Sequence, residues 1–189
     1  MAGEQPRADA RRNVQKLVDA AREAVAEVGV GVTAHEIARR AGVGIGTFYR
    51  RLPSREALLT VVLADTFDEL VAVARAALEM SDPWDGFTVF AESFARLRAT
   101  SCGLRDVLAD SPLDVDIDTR IAELRALTEQ VVGRAQRAGS LRTDVAWQDI
   151  AFLLAATMTG ADSMGLRLPP DQWRLSLRVI LDGLRAPTA

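Results

Sequence analysis

The stretch Ala41–Arg51, AGVGIGTFYRR, holds three glycines within five residues and is the first place where the chain could do chemistry. Such a loop either cradles a phosphate or turns the corner between two helices. A dinucleotide fingerprint needs a third glycine where Thr47 stands, and a P-loop needs Gly-Lys-Ser/Thr. The only lysine of the chain is Lys16. The stretch is therefore interpreted as a helix corner, with Gly42 supplying the positive φ.

Side chains that commonly serve catalysis or metal binding are few. His35 is the only histidine and Cys102 the only cysteine. A metal site needs several such ligands together, and a nucleophilic cysteine needs a base beside it. We interpret His35 as a surface helix residue and Cys102 as a buried inert thiol. No enzymatic activity, metal or cofactor is predicted.

The elements that hold these residues are helical. Helical periodicity runs almost from end to end, which predicts an all-α fold of about nine helices. Thr33-Ala34-His35-Glu36 matches a capping box and starts a short helix that stops at Gly42. A second short helix follows from Ile45 and stops before Pro53. Ser54 then caps a long helix.

Charge is unevenly distributed along the chain. The formal net charge is −3, yet residues 1–60 carry ten basic and seven acidic groups, giving +3, so the remainder carries −6. A basic head on an acidic body is compatible with a nucleic-acid partner for the head. One cysteine cannot build a disulfide framework, no apolar signal segment opens the sequence, and the uncharged run 150–161 is too short for a membrane span. We expect a cytoplasmic protein without a membrane segment.

The segment Thr33–Leu59 resembles the helix-turn-helix signature of the TetR family of one-component bacterial transcriptional regulators. It shares the E-I-A-x-x-A-G-V run, the G-T-F-Y segment and the P-S-R-E-A-L-L start of the fourth helix. The total length and the number of helices also agree with that family. The resemblance implies an N-terminal arm and helix-turn-helix DNA-binding domain over residues 1–53. It implies a larger helical ligand-binding and dimerisation domain over residues 54–189.

The resemblance also implies roles for individual side chains. In such proteins the short helix after the corner enters the major groove of DNA, and residues around it hold the phosphates. By position, Tyr49 matches a tyrosine whose hydroxyl meets a phosphate, Arg51 a backbone contact, and Arg55 a usual lysine. The implied DNA-binding residues are Thr33, Ala34, His35, Gly44, Ile45, Gly46, Thr47, Tyr49, Arg50, Arg51 and Arg55.

Direct base readout would rest on few side chains. Two glycines in the short helix region offer no side-chain hydrogen bond, so readout falls to Thr47, to Ile45 against a thymine methyl, or to His35 or Arg50. Many relatives have a serine at Gly44, where it would cap the recognition helix. The sequence therefore predicts the module and assigns its base readout to these few side chains.

Aromatic residues repeat at helical spacing in the body of the chain. The stripe Trp84, Phe87, Phe90 and Phe94 is interpreted as core. The family resemblance adds a second interpretation, a cavity for a small effector. The candidate lining is Phe67, Phe90, Phe94, Val131 and Met158, with Asp162 as a polar contact.

Two C-terminal segments predict contact with a second copy of the chain. Ala146–Asp162 is interpreted as one helix that is apolar nearly all round, more than one neighbour can cover. The last helix carries an apolar stripe with spacings of four, three and four residues. We predict a four-helix dimer interface, and burial inside a single chain is the alternative. The predicted interface residues are Phe152, Ala156, Trp173, Leu177, Ile180 and Leu184.

These features together predict a homodimeric, ligand-responsive DNA-binding regulator. Its partners would be a palindromic double-stranded DNA operator and a small apolar or amphipathic effector, whose binding would release a repressor from the operator. An activator would share every sequence feature used. The alternative function is a helical small-molecule-binding protein without a regulatory DNA target.

Overall fold

A computed structural model of the chain describes residues 5–101, 115–157, 162–163, 165–167, 169 and 171–187. These residues form eight helices and one very short hairpin, which confirms the all-α fold class. The helices are α1 (Gln5–Val28), α2 (Ala34–Arg40), α3 (Ile45–Arg51), α4 (Arg55–Glu79), α5 (Pro83–Thr100), α6 (Val115–Arg137), α7 (Trp147–Ala155) and α8 (Gln172–Leu184). The antiparallel strands are β1 (Asp162–Ser163) and β2 (Leu166–Arg167).

Short-range capping signals fix where several helices begin. The Thr33 hydroxyl accepts the Glu36 N–H at 3.2 Å, and the Ser54 hydroxyl accepts the Ala57 N–H at 3.1 Å. Each bond satisfies one of the amides that a helix start leaves without a partner. Asp82 does the same for α5 by accepting the N–H of Trp84 at 2.7 Å. The starts at Thr33 and Ser54 agree with the sequence interpretation.

The chain divides into two compact units. The first unit comprises Met1–Thr66 with Thr100–Asp118, and the second comprises Phe67–Ala99 with Thr119–Ala189. Helix α4 therefore belongs partly to each, because the division falls between Thr66 and Phe67. In the first unit the core is formed by residues buried on four helices: Leu17, Ala21, Val25, Ile37, Ala38, Phe48, Leu58, Leu59, Val62 and Leu63.

In the second unit, α5 passes very close to the end of α4. A Cβ added to Gly86 would lie 2.4 Å from the Ala77 carbonyl oxygen, so only glycine fits at this approach. The same carbonyl accepts an N–H of Arg134 at 3.2 Å, and another N–H of Arg134 binds the Met80 carbonyl. Arg134 thereby supplies donors to carbonyls that the end of α4 leaves without helical partners.

Gly86→Ala is expected to destabilise the protein even though alanine is the better helix former. Replacing glycine with alanine in a helix normally gains about 1 kcal/mol, but overpacking against a backbone atom costs about 1–3 kcal/mol or more. We expect a net loss of about 1–2 kcal/mol in urea unfolding. Gly183→Ala on α8 is the matched control, because an added Cβ there meets nothing within 4 Å. Equal midpoints for the two variants would contradict the close approach at Gly86.

The end of α8 is fastened to the connection between α6 and α7. The Arg142 N–H donates to the Leu184 carbonyl at 3.0 Å, and the Ala186 N–H donates to the Ser140 carbonyl at 3.1 Å. The Arg142 guanidinium also donates to the Gly183 carbonyl at 3.0 Å. Leu141 and Arg185 form a single antiparallel β-bridge at the same place. These bonds fix the position of α8 within its unit.

The expectation of one helix over Ala146–Asp162 is wrong in its C-terminal part. Helix α7 ends at Ala155, and Asp162 lies in strand β1. The Thr157 hydroxyl donates to the Leu154 carbonyl at 2.8 Å, which gives that carbonyl a partner outside the helical ladder. A run of uncharged residues shows where a segment is apolar, but it carries no signal for where a helix ends.

Candidate nucleic-acid interface

The corner between α2 and α3 is closed by backbone bonds. Gly42 has φ +67°, in the left-handed region that favours glycine. The Val43 N–H donates to the Ala38 carbonyl at 3.0 Å, and the Gly42 N–H donates to the Arg39 carbonyl at 3.2 Å. This pair of bonds is a Schellman motif, which ends α2 and turns the chain toward α3. The prediction of a helix corner at Gly42 is confirmed.

Helix α3 starts without a side-chain cap. Gly44 is the N-cap, and its carbonyl accepts the N–H groups of Thr47 at 2.8 Å and Phe48 at 3.2 Å. Phe48 is fully buried and anchors the helix in the first unit. Its ring meets the Tyr49 ring edge to face at 5.2 Å, while Tyr49 remains 58% exposed. Packing therefore holds α3, and Tyr49 extends from its exposed side.

The side of α3 opposite Phe48 faces outward. At 100° per residue, Gly46 and Arg50 lie on the far side of the helix from Phe48, and both are exposed. Arg50 donates to the Thr47 hydroxyl at 3.0 Å, which restrains the guanidinium along the helix surface. Arg51 is exposed and has no hydrogen-bond or ion-pair partner among the described residues. Together, the exposed residues of α3 offer one restrained guanidinium, one phenol and one cation with no partner among the described residues.

The start of α2 presents only part of what the sequence suggested. Thr33 and His35 are exposed, whereas Ala34 is buried at 6% exposure. The Thr33 half of the capping box is present. The Glu36 carboxylate turns instead to two arginines of its own helix. Thr33 and His35 thus lie on the surface beside the corner, and Ala34 contributes packing.

An ion-pair network ties α2 to α1. Glu36 accepts from Arg39 at 2.7 and 2.9 Å and from Arg40 at 2.8 Å, and Arg40 also donates to Glu27 on α1 at 2.7 Å. The hydrogen bonds from Arg39 and then Arg40 lower the pKa of Glu36 from 4.5 to about 2. The i to i+4 spacing of Glu36 and Arg40 is visible in the sequence. Their link to Glu27 is not, because thirteen residues separate it from Arg40.

The lowered pKa of Glu36 predicts an acid-dependent loss of stability. Because the folded carboxylate holds its charge down to about pH 2, its contribution to the unfolding free energy is complete above the ordinary pKa and is lost as the pH falls toward 2. Glu36→Gln should therefore be less stable than wild type at neutral pH, with the gap closing below about pH 4.5. Urea unfolding across this range measures it. Glu23→Gln is the control, since Glu23 has no ion pair among the described residues, and a gap that persists undiminished near pH 2 would refute the assignment.

Arg55 is at the first position of α4, but its side chain lies against the α1–α2 connection. Its Nε donates to the Val32 carbonyl and its Nη2 to the Val30 carbonyl. The side chain is 24% exposed, and Nη1 lies 3.2 Å from the Glu56 carboxylate. The structure therefore gives Arg55 a set of partners inside the first unit that the sequence did not indicate.

Comparisons with known proteins place this geometry in a family. The profile "Bacterial regulatory proteins, tetR family" matches residues 17–62, and the profile "Transcriptional regulator SbtR-like, C-terminal domain" matches residues 82–186. A solved TetR transcription regulatory protein from Mycobacterium vanbaalenii is 35% identical, covers 95% of this chain and 98% of its own, and has a TM-score of 0.60. The chain belongs to the TetR family. It is accordingly a DNA-binding transcriptional regulator, in a family whose members are typically not enzymes.

Other TetR-family structures agree in fold. A TetR transcriptional regulator from Streptomyces coelicolor is 27% identical over 93% of this chain and 99% of its own, with a TM-score of 0.62. A ketosteroid transcriptional regulator of Mycobacterium tuberculosis is 20% identical over 94% and 96%, with a TM-score of 0.68. No curated protein sequence matches the chain. None of the helices in the described part of the chain has the length and apolar character of a membrane span.

The candidate effector residues of this TetR-family chain are buried where they are described. Phe67, Phe90, Phe94 and Val131 are each at most 9% exposed and lie in the second unit. The rings of Phe90 and Phe94 are 6.2 Å apart. Met158 and the side chain of Asp162 lie outside the described residues.

The second unit also has an open groove between α5 and α8. Its volume is about 300 Å³, and Trp84, Thr88, Trp173 and Leu177 are among its lining residues. The Thr88 hydroxyl oxygen is buried and has no hydrogen-bond partner among the described residues. An unpaired buried hydroxyl is unfavourable, and a polar group of a bound molecule would relieve it. No pattern in the sequence indicated this groove, because it depends on the packing of two helices that are distant in the chain.

The predicted dimer residues fall on two different sides of the C-terminal helices. Trp173, Leu177 and Leu184 are buried within the chain itself at 5%, 5% and 2% exposure, and Ile180 is half-buried. Helix α8 therefore turns its apolar stripe inward, with Trp173 and Leu177 beside the α5 groove. Phe152 on α7 and Ala156, which follows α7, are exposed. The outward apolar residues that sequence reasoning missed are Leu153, Leu175 and Val179.

Proposed function

We propose that this TetR-family chain binds a palindromic operator by inserting the outward face of α3 into the major groove. We propose that it does so in the cytoplasm. The observation that carries the proposal is the pairing of a fully buried Phe48 with an exposed opposite face around Gly46 and Arg50. A recognition helix needs this combination, because packing fixes it while its far side reaches base edges. Tyr49 and Arg51 would contact phosphates on either side, and Thr33 and His35 would approach the backbone from α2.

Selection from a random duplex library with the purified protein tests this function. We expect one enriched inverted repeat, with half-sites about one helical turn apart. Retention of DNA that is sensitive to salt but shows no enriched sequence would instead support the alternative, a helical small-molecule-binding protein without a regulatory target.

Arg50 is the side chain we assign to base readout. Its guanidinium is the longest hydrogen-bonding group at the centre of the outward face, and Thr47 restrains it. Arginine most often reads guanine, and one such contact is worth about 1–3 kcal/mol of discrimination. Arg50→Ala should therefore relax selection at one base pair in each half-site. Arg51→Ala, the control, should weaken all duplexes alike, and retention of the full sequence preference by Arg50→Ala would contradict the assignment.

Two copies of the chain are needed to read a palindrome, and we propose that the outer face of α7 and α8 joins them. This outer face consists of Phe152, Leu153, Leu175 and Val179, which are 76%, 39%, 44% and 62% exposed. The two helices contact each other, so the four side chains lie on neighbouring elements. Exposed apolar patches of this kind mark association surfaces. The dimer would hold two recognition helices about 34–36 Å apart.

We propose further that a small apolar or amphipathic effector binds the second unit and releases a repressor from its operator. The buried aromatic residues Phe67, Phe90 and Phe94, and the groove where the Thr88 hydroxyl lacks a partner in the described part of the chain, suit a ligand with an apolar body and one polar group. The effector needs only a difference in affinity between two states, about 1.4 kcal/mol for each tenfold loss of operator binding. Titrating a panel of such molecules against the selected operator tests it. If none changes operator affinity, the ligand-responsive part is wrong and the DNA-binding part is unaffected.

A further inference from the structure

Arg55 could bind either the DNA backbone or carbonyl groups of its own chain, and these two contacts predict different experimental results. The sequence resemblance places Arg55 where a lysine usually contacts the DNA backbone. In the structure its side chain is three-quarters buried, and its guanidinium donates to the carbonyls of Val30 and Val32. These carbonyls belong to the connection between α1, which ends at Val28, and α2, whose N-cap is Thr33.

The geometry of the guanidinium decides how many donors remain. Nε and Nη2 lie on one edge of the planar group, and that edge holds the two carbonyls. The third nitrogen, Nη1, lies 3.2 Å from the Glu56 carboxylate. A phosphate approaching Arg55 would have to displace the carbonyls or come close to a like-charged carboxylate. Both costs disfavour a phosphate contact.

The same bonds have a structural consequence at the expected DNA surface. Val32 is buried, and the next residue, Thr33, caps the start of α2. By holding the carbonyls on both sides of Gly31, Arg55 ties the α1–α2 connection to the start of α4. The exposed residues Thr33 and His35 follow directly in the chain, so their position depends on this connection.

We propose that Arg55 is a positioning residue for DNA binding: it fixes the start of α2 through the Val30 and Val32 carbonyls and neutralises no phosphate. The proposal rests on the DNA-binding function proposed above. It separates Arg55 from Arg51, which has no partner among the described residues and remains available to a phosphate.

Salt dependence distinguishes the two roles. Each phosphate neutralised contributes about −0.9 to the slope of log affinity against log salt. Using the duplex that wild type selects, Arg51→Gln should make the slope shallower by about 0.9 for each half-site. Arg55→Gln should lower affinity about tenfold, the equivalent of one lost hydrogen bond to a charged group, and leave the slope unchanged. A slope change like that of Arg51→Gln, or unchanged affinity, would overturn the proposal.

Arg55→Lys provides a second comparison that keeps the charge. If Arg55 contacted a phosphate, lysine would preserve that contact because it keeps the charge, but its ammonium lacks the planar edge that meets the two carbonyls. We expect Arg55→Lys to keep the wild-type slope and to bind more weakly than wild type. Full wild-type affinity would contradict the positioning role, and this comparison stands even if Arg55→Gln does not fold.

Hydrogen exchange without DNA tests the contact independently of the proposed function. The amides of Val32–Glu36 should exchange faster in Arg55→Gln and Arg55→Lys than in wild type, and at the wild-type rate in Arg51→Gln. Unchanged exchange in the Arg55 variants would refute the tie to the α1–α2 connection. If wild type selects no palindrome, the proposed function fails, and the exchange result still decides whether Arg55 holds this connection.

Discussion

Phe152→Glu is expected to convert the proposed dimer to monomers and to lower affinity for the proposed palindromic operator at least a hundredfold. Phe152 is the most exposed large apolar residue of the described chain, and it lies on the outer face of α7 and α8. A buried carboxylate without a partner would oppose association strongly. Loss of the dimer removes the linked second binding event, which typically contributes about 10²–10⁴ in affinity. Sedimentation and operator titration measure the two effects.

Val89→Glu is the matched control for this change. Val89 is an exposed apolar residue of α5 and is 43% exposed, but it is not part of the outer face. Val89→Glu introduces the same charge at another exposed apolar position, so it should leave both the proposed dimer and operator affinity unchanged. A Phe152→Glu variant that remains dimeric would mean that two copies of the chain associate elsewhere.

Sequence reasoning succeeded where a local signal fixes the structure. The side chains of Thr33 and Ser54 cap helix starts, and glycine is the residue type that readily adopts the positive φ found at Gly42. Each of these signals acts within about one helical turn, so it can be read from adjacent residues. The two short helices of the DNA-binding region were predicted correctly for this reason.

Contacts between distant segments could not be predicted in this way. The Arg55 guanidinium reaches carbonyls 23 and 25 residues away, and no local pattern marks those carbonyls as acceptors. By analogy of position Arg55 was assigned to DNA, whereas its geometry shows partners within the unit. The position of a residue in a motif shows where it lies on its helix, but it does not show which acceptors its side chain donates to.

The C-terminal helices show a similar limit. The apolar stripe of α8 was predicted to meet a second copy of the chain, but its spacing cannot tell whether the chain itself or a second copy covers it. Trp173 and Leu177 are covered within the chain. Leu175 and Val179, which lie outside the apolar stripe of α8, are exposed. Only the packing of α8 on the rest of its unit distinguishes these two faces.

The outward face of α3 can be tested with a substitution that does not disturb the fold. Gly46 is exposed opposite Phe48, and a Cβ added there meets nothing within 4 Å. Glycine within a helix costs about 0.5–1 kcal/mol relative to alanine, so a side chain at this position should not lower stability. Glutamate would place a negative charge where the DNA backbone and bases are expected, which costs several kcal/mol.

Binding of the selected operator by Gly46→Glu is therefore the most direct measurement of whether α3 enters the duplex. The account predicts a loss of affinity of at least about a hundredfold, with an unfolding temperature equal to or above that of wild type. Gln130→Glu, an exposed change on α6, adds the same charge in the second unit and should bind as wild type does. Wild-type affinity in Gly46→Glu would contradict the central claim that this face of α3 reads DNA.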